Sequence, residues 1–237
     1  MKGLLKELFE KYDIELNDKQ LDQFDCFYNL VITENEKYNL TAITQKQDFA
    51  IKHLLDCCLP YMLLKKDASV LDVGAGAGFP SIPLKILRPD LKITMLDSLN
   101  KRVNFLNMCI EKLNLQNCKA IHSRAEDFAK DNREKYDIAI ARAVAGLNTL
   151  SEYCLPFVKI GGSFIALKGS AYIEELKEAD FAIKLLGGKI KDIQKITINE
   201  IESERANVVI EKILITPKKY PRGKNLPRLK PLNEENR

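Results

Sequence analysis

The residues best suited to chemistry are three glycines and an acid in one run, VLDVGAGAGFPSIPL. Gly74, Gly76 and Gly78 follow a short apolar stretch, and Asp72 stands just ahead of them. Glycines at such a turn permit φ > 0 and let the backbone approach a ligand closely. The dinucleotide fingerprint G-x-G-x-x-G would put its third glycine where this chain has Phe79. Here the third glycine comes one position early. A dinucleotide brings a pyrophosphate to the helix N-terminus. A loop preceded by Asp72 instead suits a ligand with no phosphate and a positive end, met directly or through water. Asp97 lies 21 residues beyond Gly76, close to the offset of roughly 20 at which an acid accepts bonds from ribose hydroxyls. A carboxylate there suits the diol and would repel a 2′-phosphate. SRAEDF at 123–128 places a further acid just past the third strand-like run. Each acid alone reads more readily as a cap or a solvated residue. Three at successive strand ends point to a nucleoside site.

Such a site needs strands whose ends meet. SVLDV (69–73), KITMLD (92–97), KAIH (119–122), YDIAIARA (136–143) and SFIALK (163–168) read as buried strands. Between them lie the helix-like stretches SIPLKILRP, NKRVNFLNMCIEKLN, RAEDFAK and LNTLSEYCLPFVK, with AYIEELKEADFAIKLLG after the fifth. This alternation implies right-handed crossovers and a mainly parallel sheet covered on both faces. Two late runs, KIKDIQKITI and NVVIEKILIT, can pair as antiparallel neighbours. The expected fold is α/β and Rossmann-like, a mainly parallel doubly wound sheet with an antiparallel last strand and an N-terminal helical part. In it ligands sit beyond the carboxyl ends of the strands, where chain order reverses. Residues 1–66 read as helical, with Asp18 as an N-cap ahead of Leu21, Phe24, Phe27 and Val31. The boundaries expected are a helical part at 1–66, a nucleoside-binding domain at 67–216 and a tail at 217–237.

Composition narrows the class. Of 237 residues 46% are hydrophobic and 30% charged, which suits a globular chain and not a disordered one. No apolar run approaches the roughly 18 to 20 residues needed to cross a bilayer. MKGLLKELFEKYD spaces its apolar residues as an amphipathic helix rather than a signal peptide, so a cytoplasmic protein is expected, with no membrane partner. The six cysteines form no C-x-x-C pair and only His53 and His122 could assist them, so no metal site is expected. Buried reduced thiols are the expectation. The net charge of +4 is uneven: the segment from Thr216 onward carries +5 and the remainder −1. That Pro- and Lys/Arg-rich tail reads as extended and mobile.

At this point whole blocks become recognisable. LDVGAGAGFPSIPLKI carries the G-x-G-x-G loop of class I methyltransferases. Together with NLTAI (39–43), KHLLDC (52–57), LDSLNKRVNFL (96–106), SRAEDF, ARAVAGL (141–147) and LKG (167–169), it resembles the bacterial small-subunit methyltransferase G family, also called glucose-inhibited division protein B. The resemblance runs from about residue 1 to the last strand, while the tail follows the usual extension less closely. It implies methylation of N7 of the guanine at position 527, in the 530 loop of 16S rRNA, from S-adenosylmethionine, with S-adenosylhomocysteine as product. By motif matching it carries over cofactor contacts to Gly74, Phe79, Asp97, Ser98, Ala125, Glu126 and Arg142. Arg124, Arg142 and Lys168 match positions that matter for activity in the family.

The acceptor chemistry agrees. No [DN]-P-P-[YFW] loop for exocyclic amines follows YDIAIARAVAG, and Cys154 is poorly placed as a nucleophile for cytosine C5. Guanine N7 offers a lone pair and loses no proton, so alignment and orientation suffice. Arg142 and Lys168, at the ends of the fourth and fifth strands, are expected to frame the guanine, Arg being suited to O6 or phosphate oxygens. The alternative for Lys168 is a solvated strand end. His53 and Asp56 read as a packing contact between helix and catalytic domain, and Asn39 and Thr41 as a turn at the cofactor mouth. The expected partner is 16S rRNA, naked or in a 30S particle, bound by a monomer. The tail would supply phosphate contacts, and its removal should leave cofactor affinity alone. Two other readings stay open: an enzyme of the same fold acting on a small molecule or protein, and a ribosome-binding protein without turnover.

Overall fold

The apolar runs become the strands of one seven-stranded sheet. The computed structural model describes residues 1–142, 145–201 and 204–236. Ala143, Val144 and Arg237, which fall within the ARAVAGL block and the tail, lie outside the described residues. Strands β1 (Ser69–Val73), β2 (Lys92–Asp97), β3 (Cys118–His122), β4 (Tyr136–Arg142) and β5 (Val158–Lys168) are parallel. Strands β6 (Gly188–Ile196) and β7 (Arg205–Lys212) pair antiparallel with each other, and β7 runs antiparallel to β5. The order is β3-β2-β1-β4-β5-β7-β6, so the winding direction reverses between β1 and β4. That reversal opens a crevice at their carboxyl ends.

Helices α1 (Lys2–Glu10) and α2 (Asp18–Tyr38) open the chain. Asn17, rather than Asp18, is the N-cap of α2. Its side chain accepts from the Gln20 amide at 3.0 Å while the Gln20 side chain accepts from the Asn17 amide at 3.0 Å, which satisfies two exposed donors reciprocally. A composite rod follows, formed by α3 (Lys46–Phe49), a π-helical turn (Ala50–Leu55), α4 (Asp56–Cys58) and a 3₁₀ turn (Leu59–Leu63). These segments have no core of their own: Phe24, Phe27 and Phe49 join one cluster with Ile82 and Phe105 under the sheet.

Crossovers α5 (Ser81–Leu87) and α6 (Asn100–Lys112) lie on that face. A second cluster covers the other face, with residues of α7 (Ala125–Asn132), α8 (Leu147–Cys154) and α9 (Tyr172–Leu185). Cys57, Cys58, Cys109 and Cys154 are buried as small apolar groups, and burial pushes the Cys57 thiol up to about 12.

The tail departs from expectation. Tyr220 is 1% exposed and Leu232 fully buried, both within the second cluster. Arg222 grips Glu152 through Nε and Nη2 at 2.9 and 2.8 Å, and Arg133 donates to the Tyr220 and Thr216 carbonyls. A short helix, α10 (Leu226–Leu229), is tied to α8 where Thr149 Oγ1 donates to the Pro227 carbonyl at 2.9 Å. The composition is that of a loose segment, but a few apolar and one ionic anchor dock it. No helix is long and apolar enough to cross a membrane among the described residues.

Candidate active site

Two cavities meet at the crevice, sharing Ala145 in the loop after β4. The first, about 270 Å³, lies at the ends of β1, β2 and β3. The glycine loop is tied to β2, since Gly74 and Ala75 amides donate to the Leu96 carbonyl at 2.8 and 3.1 Å. All three glycines have positive φ. At Gly78, φ is +89° and a Cβ would meet Ile82 Cδ1 at 2.5 Å, so only glycine lets the loop pack on α5. Asp97 organises the same turn: Oδ2 accepts from the Gly76 amide and Oδ1 from the Leu99 amide, both at 2.9 Å. Beyond β3, Arg124 caps the start of α7 and leaves its side chain mostly exposed, 3.9 Å from the Glu126 carboxylate.

Asp72 sits beneath the loop, fully buried. Ser81 Oγ donates to its Oδ2 at 2.6 Å, whereas Oδ1 has no partner among the described residues. Burial drives its carboxyl up to about 7, against the Ser81 bond, and the nearby Asp97 charge adds to the rise.

The second cavity, about 530 Å³, is framed by Arg142, Lys168, His53, Asp56 and Arg205. Arg142 Nη1 donates to Asp56 Oδ2 at 2.9 Å and to the Lys52 carbonyl at 3.0 Å, and Nη2 meets His53 Nδ1 at 2.8 Å. A guanidinium only donates, so His53 Nδ1 accepts, and Nε2 keeps the proton and donates to Thr41 Oγ1 at 2.7 Å. Burial, with the Arg142 charge beside it, drives the imidazole pKa down to about 3, so His53 is neutral at working pH. The π-helical turn presents both Lys52 and His53 to Arg142. Lys168 Nζ donates to the Ala145 carbonyl at 2.7 Å and lies 2.5 Å from Glu175, whose Oε2 also accepts from the Leu147 amide. Lys168 is therefore no solvated strand end: it is 7% exposed and holds Ala145 between the cavities.

Of the residues singled out by sequence, Gly74, Asp97, Ser98, Arg124, Ala125 and Glu126 line the first cavity. Arg142 and Lys168 line the second instead. Gly76 and Gly78 shape the loop without lining either, and Asp72 lies below it. The Phe79 ring points into the core, stacked on His53 at 4.2 Å with the Arg142 guanidinium 5.3 Å from its centroid. Asn39 closes α2 in the left-handed conformation and lines neither cavity. His53 and Asp56 do join helix to catalytic domain, and Arg142 is what they hold. Sequence reading missed Tyr153, Asn225 and Arg228 in the first cavity and Glu175 and Arg205 beside the second. No motif marks any of them. Among the described residues no cluster of three or more His, Cys, Asp or Glu could hold a metal.

The arrangement is a recess lined by Asp97 and Glu126 beside a larger one lined by Lys52, Arg142, Lys168 and Arg205. The family profile of rRNA small subunit methyltransferase G, GidB, matches residues 20–205. The chain is 49% identical to Ribosomal RNA small subunit methyltransferase G of Desulforamulus reducens, over 96% of this chain and 97% of that protein. It is 52% identical to the protein of that name from Macrococcus caseolyticus, again over 96% and 97%. Among solved structures it is similar to M. jannaschii TYW2 in complex with AdoMet, with a TM-score of 0.53 and 18% identity over 73% of this chain and 80% of that one. The fold is that of class I methyltransferases. With about half its residues shared along nearly its whole length, the chain belongs to the GidB family of rRNA small subunit methyltransferase G.

Proposed function

We propose that the protein transfers the methyl group of S-adenosylmethionine to N7 of the guanine at position 527 in 16S rRNA, within the 530 loop. The observation that carries this reading is the pair of cavities that share Ala145, one lined by Asp97 and Glu126 and the other by Arg142 and Lys168. When bound, S-adenosylmethionine supplies an electrophilic methyl group on a sulfonium. Asp97 retains acceptor capacity for ribose hydroxyls, because a carboxylate has about four lone-pair positions and two hold backbone amides. Glu126 and Ser98 line the same recess. Asp72 places a negative charge below the loop, which favours a cationic ligand when ionised.

Nothing in the second cavity has to remove a proton. His53 has its acceptor nitrogen occupied by Arg142, and N7 attacks with its own lone pair. Arg142 and Lys168 each face a carboxylate, Asp56 and Glu175. Their charge is thereby directed away from a ring that becomes positive as it is methylated. Both cations orient, and neither needs to touch N7.

The decisive test offers naked 16S rRNA and 30S particles to the purified protein and maps the product by mass spectrometry. A single N7-methylguanine in the 530 loop is expected; methylation elsewhere, or cofactor binding with no transfer to either, would overturn the reading. Lys168→Ala is expected to lower the single-turnover rate about a hundredfold, the order of loss that misplacement by ~1 Å can cause. Affinity for S-adenosylhomocysteine should change little. An unchanged rate would remove Lys168 from the mechanism.

A pH dependence follows from Asp72. A cationic cofactor favours its ionised form, so below pH 7 binding must expel a proton from a carboxyl that titrates near 7 in the free protein. Affinity for S-adenosylmethionine should therefore fall as pH drops from 8 to 6, by up to about tenfold per unit. Calorimetry in buffers of different ionisation enthalpy should register the released proton. Asp72→Asn, which can still accept from Ser81, should flatten the profile; a profile unchanged by that substitution would assign the dependence elsewhere.

A further inference from the structure

The first cavity is completed by a segment that no strand end requires. Asn225 and Arg228 line it, although Asn225 lies 99 residues beyond its partner Glu126. We propose that residues 222–228 form a strap across the nucleoside recess and that the Arg228 guanidinium packs on the face of the bound purine. This rests on reading the first cavity as the nucleoside site.

The segment is built as a strap, anchored at both ends and exposed between them. At one end Arg222 is clamped to Glu152, which is fully buried, with the Arg222 amide also donating to Glu152 Oε1 at 2.7 Å. At the other, the Pro227 carbonyl is held by Thr149, and Leu232 is buried. Between these points Gly223, Lys224 and Leu226 are exposed. Asn225 bridges α7 and α8: its amide reaches Glu126 Oε1 at 3.4 Å, and its Oδ1 accepts from the Tyr153 hydroxyl at 3.3 Å. Both bonds are long, near the limit of the geometry. They leave room for adjustment when a ligand enters.

Arg228 is exposed, and among the described residues its guanidinium has no hydrogen-bond or ion-pair partner. A planar cation beside a recess walled by Val73, Leu96 and Ala125 can serve a phosphate or an aromatic face. Phosphate is disfavoured there by the Asp97 and Glu126 carboxylates in the same recess. A neutral purine face is not repelled by them, and it attracts the cation through its π-system. Arg228 is thus a binding residue for the adenine portion of the ligand, delivered by the tail rather than by the sheet.

Calorimetric titration of full-length Arg228→Ala with S-adenosylhomocysteine tests this. Loss of a cation–π contact predicts affinity weaker by about 3- to 30-fold. Arg228→Lys, which keeps the charge without the plane, should lie between. In the unaltered protein S-adenosylhomocysteine should also slow tryptic cleavage after Lys224. Unchanged affinity in Arg228→Ala would overturn the strap contact while leaving the cofactor reading intact. A raised KM for rRNA with unchanged S-adenosylhomocysteine affinity would overturn it too, by assigning Arg228 to the RNA backbone. Failure of the unaltered protein to bind S-adenosylhomocysteine would overturn both readings at once.

Discussion

Asp97→Ala is expected to weaken S-adenosylhomocysteine binding by at least about a hundredfold. The carboxylate accepts from the Gly76 and Leu99 amides, and each such charge-assisted bond contributes about 1.5–3 kcal/mol. Losing both frees the glycine turn and removes the acceptor proposed for the ribose, so the binding loss combines a missing acceptor with a recess that is no longer formed. Arg102, 3.6 Å away and more than a third exposed, cannot substitute, because it carries the opposite charge and only donates. Asp97→Asn keeps one acceptor oxygen and turns an NH₂ toward one of the two amides, so it should recover little. Calorimetry on both variants checks the claim, and an affinity within about threefold of the unaltered protein would refute it, a shift worth only ~0.6 kcal/mol.

Arg142→Ala is expected to cost stability and turnover together. Arg142 and Asp56 are both largely buried, and removing one partner of such a pair typically costs about 3–5 kcal/mol because the other charge is stranded. Arg205, 3.7 Å from the other Asp56 oxygen, would offset part of that. His53 Nδ1 would also lose its donor, and the rod carrying Lys52 and His53 would no longer be fixed against β4. Methyl transfer should drop at least about a hundredfold, as expected when an orienting group is lost. Arg142→Lys retains the charge but not the fork, and one ammonium cannot reach Asp56, His53 and the Lys52 carbonyl with the same geometry. A double-mutant cycle between Arg142 and Asp56 isolates the pair, and coupling below about 0.5 kcal/mol would show that the two act independently.

Features set by short-range rules were legible in the sequence. SVLDV and KITMLD are apolar runs bounded by turn residues, and they became β1 and β2 with the written bounds. Asp97 and the SRAEDF block lie at strand ends, so fixing the strands placed Ser98, Ala125 and Glu126 in one recess. Destinations across the chain were not legible. Arg142 ends β4 beside the glycine loop in sequence logic, yet its side chain turns to Asp56, 86 residues earlier, because the helical rod offers a buried carboxylate, an imidazole and a backbone carbonyl. Phe79 follows the glycines but goes where Phe27 and Phe49 leave an aromatic gap. The tail misled for another reason. Its Pro and Lys/Arg content is that of a solvated linker, and the few anchors that dock it, Tyr220, Arg222, Pro227 and Leu232, have no period for pattern reading to find.

The docked tail also bears on the order in which the protein comes into being. A chain emerging from the ribosome folds from its N-terminal side, so β1 to β5 with their glycine turn can assemble well before residues 220–232 are synthesised. Until Tyr220 and Leu232 arrive, one face of the sheet lacks part of its apolar filling, and the first cavity lacks Asn225 and Arg228. Completion of that cavity thus waits on residues 220–232, and a polypeptide halted before them holds β1 to β5 with one wall of the crevice unbuilt.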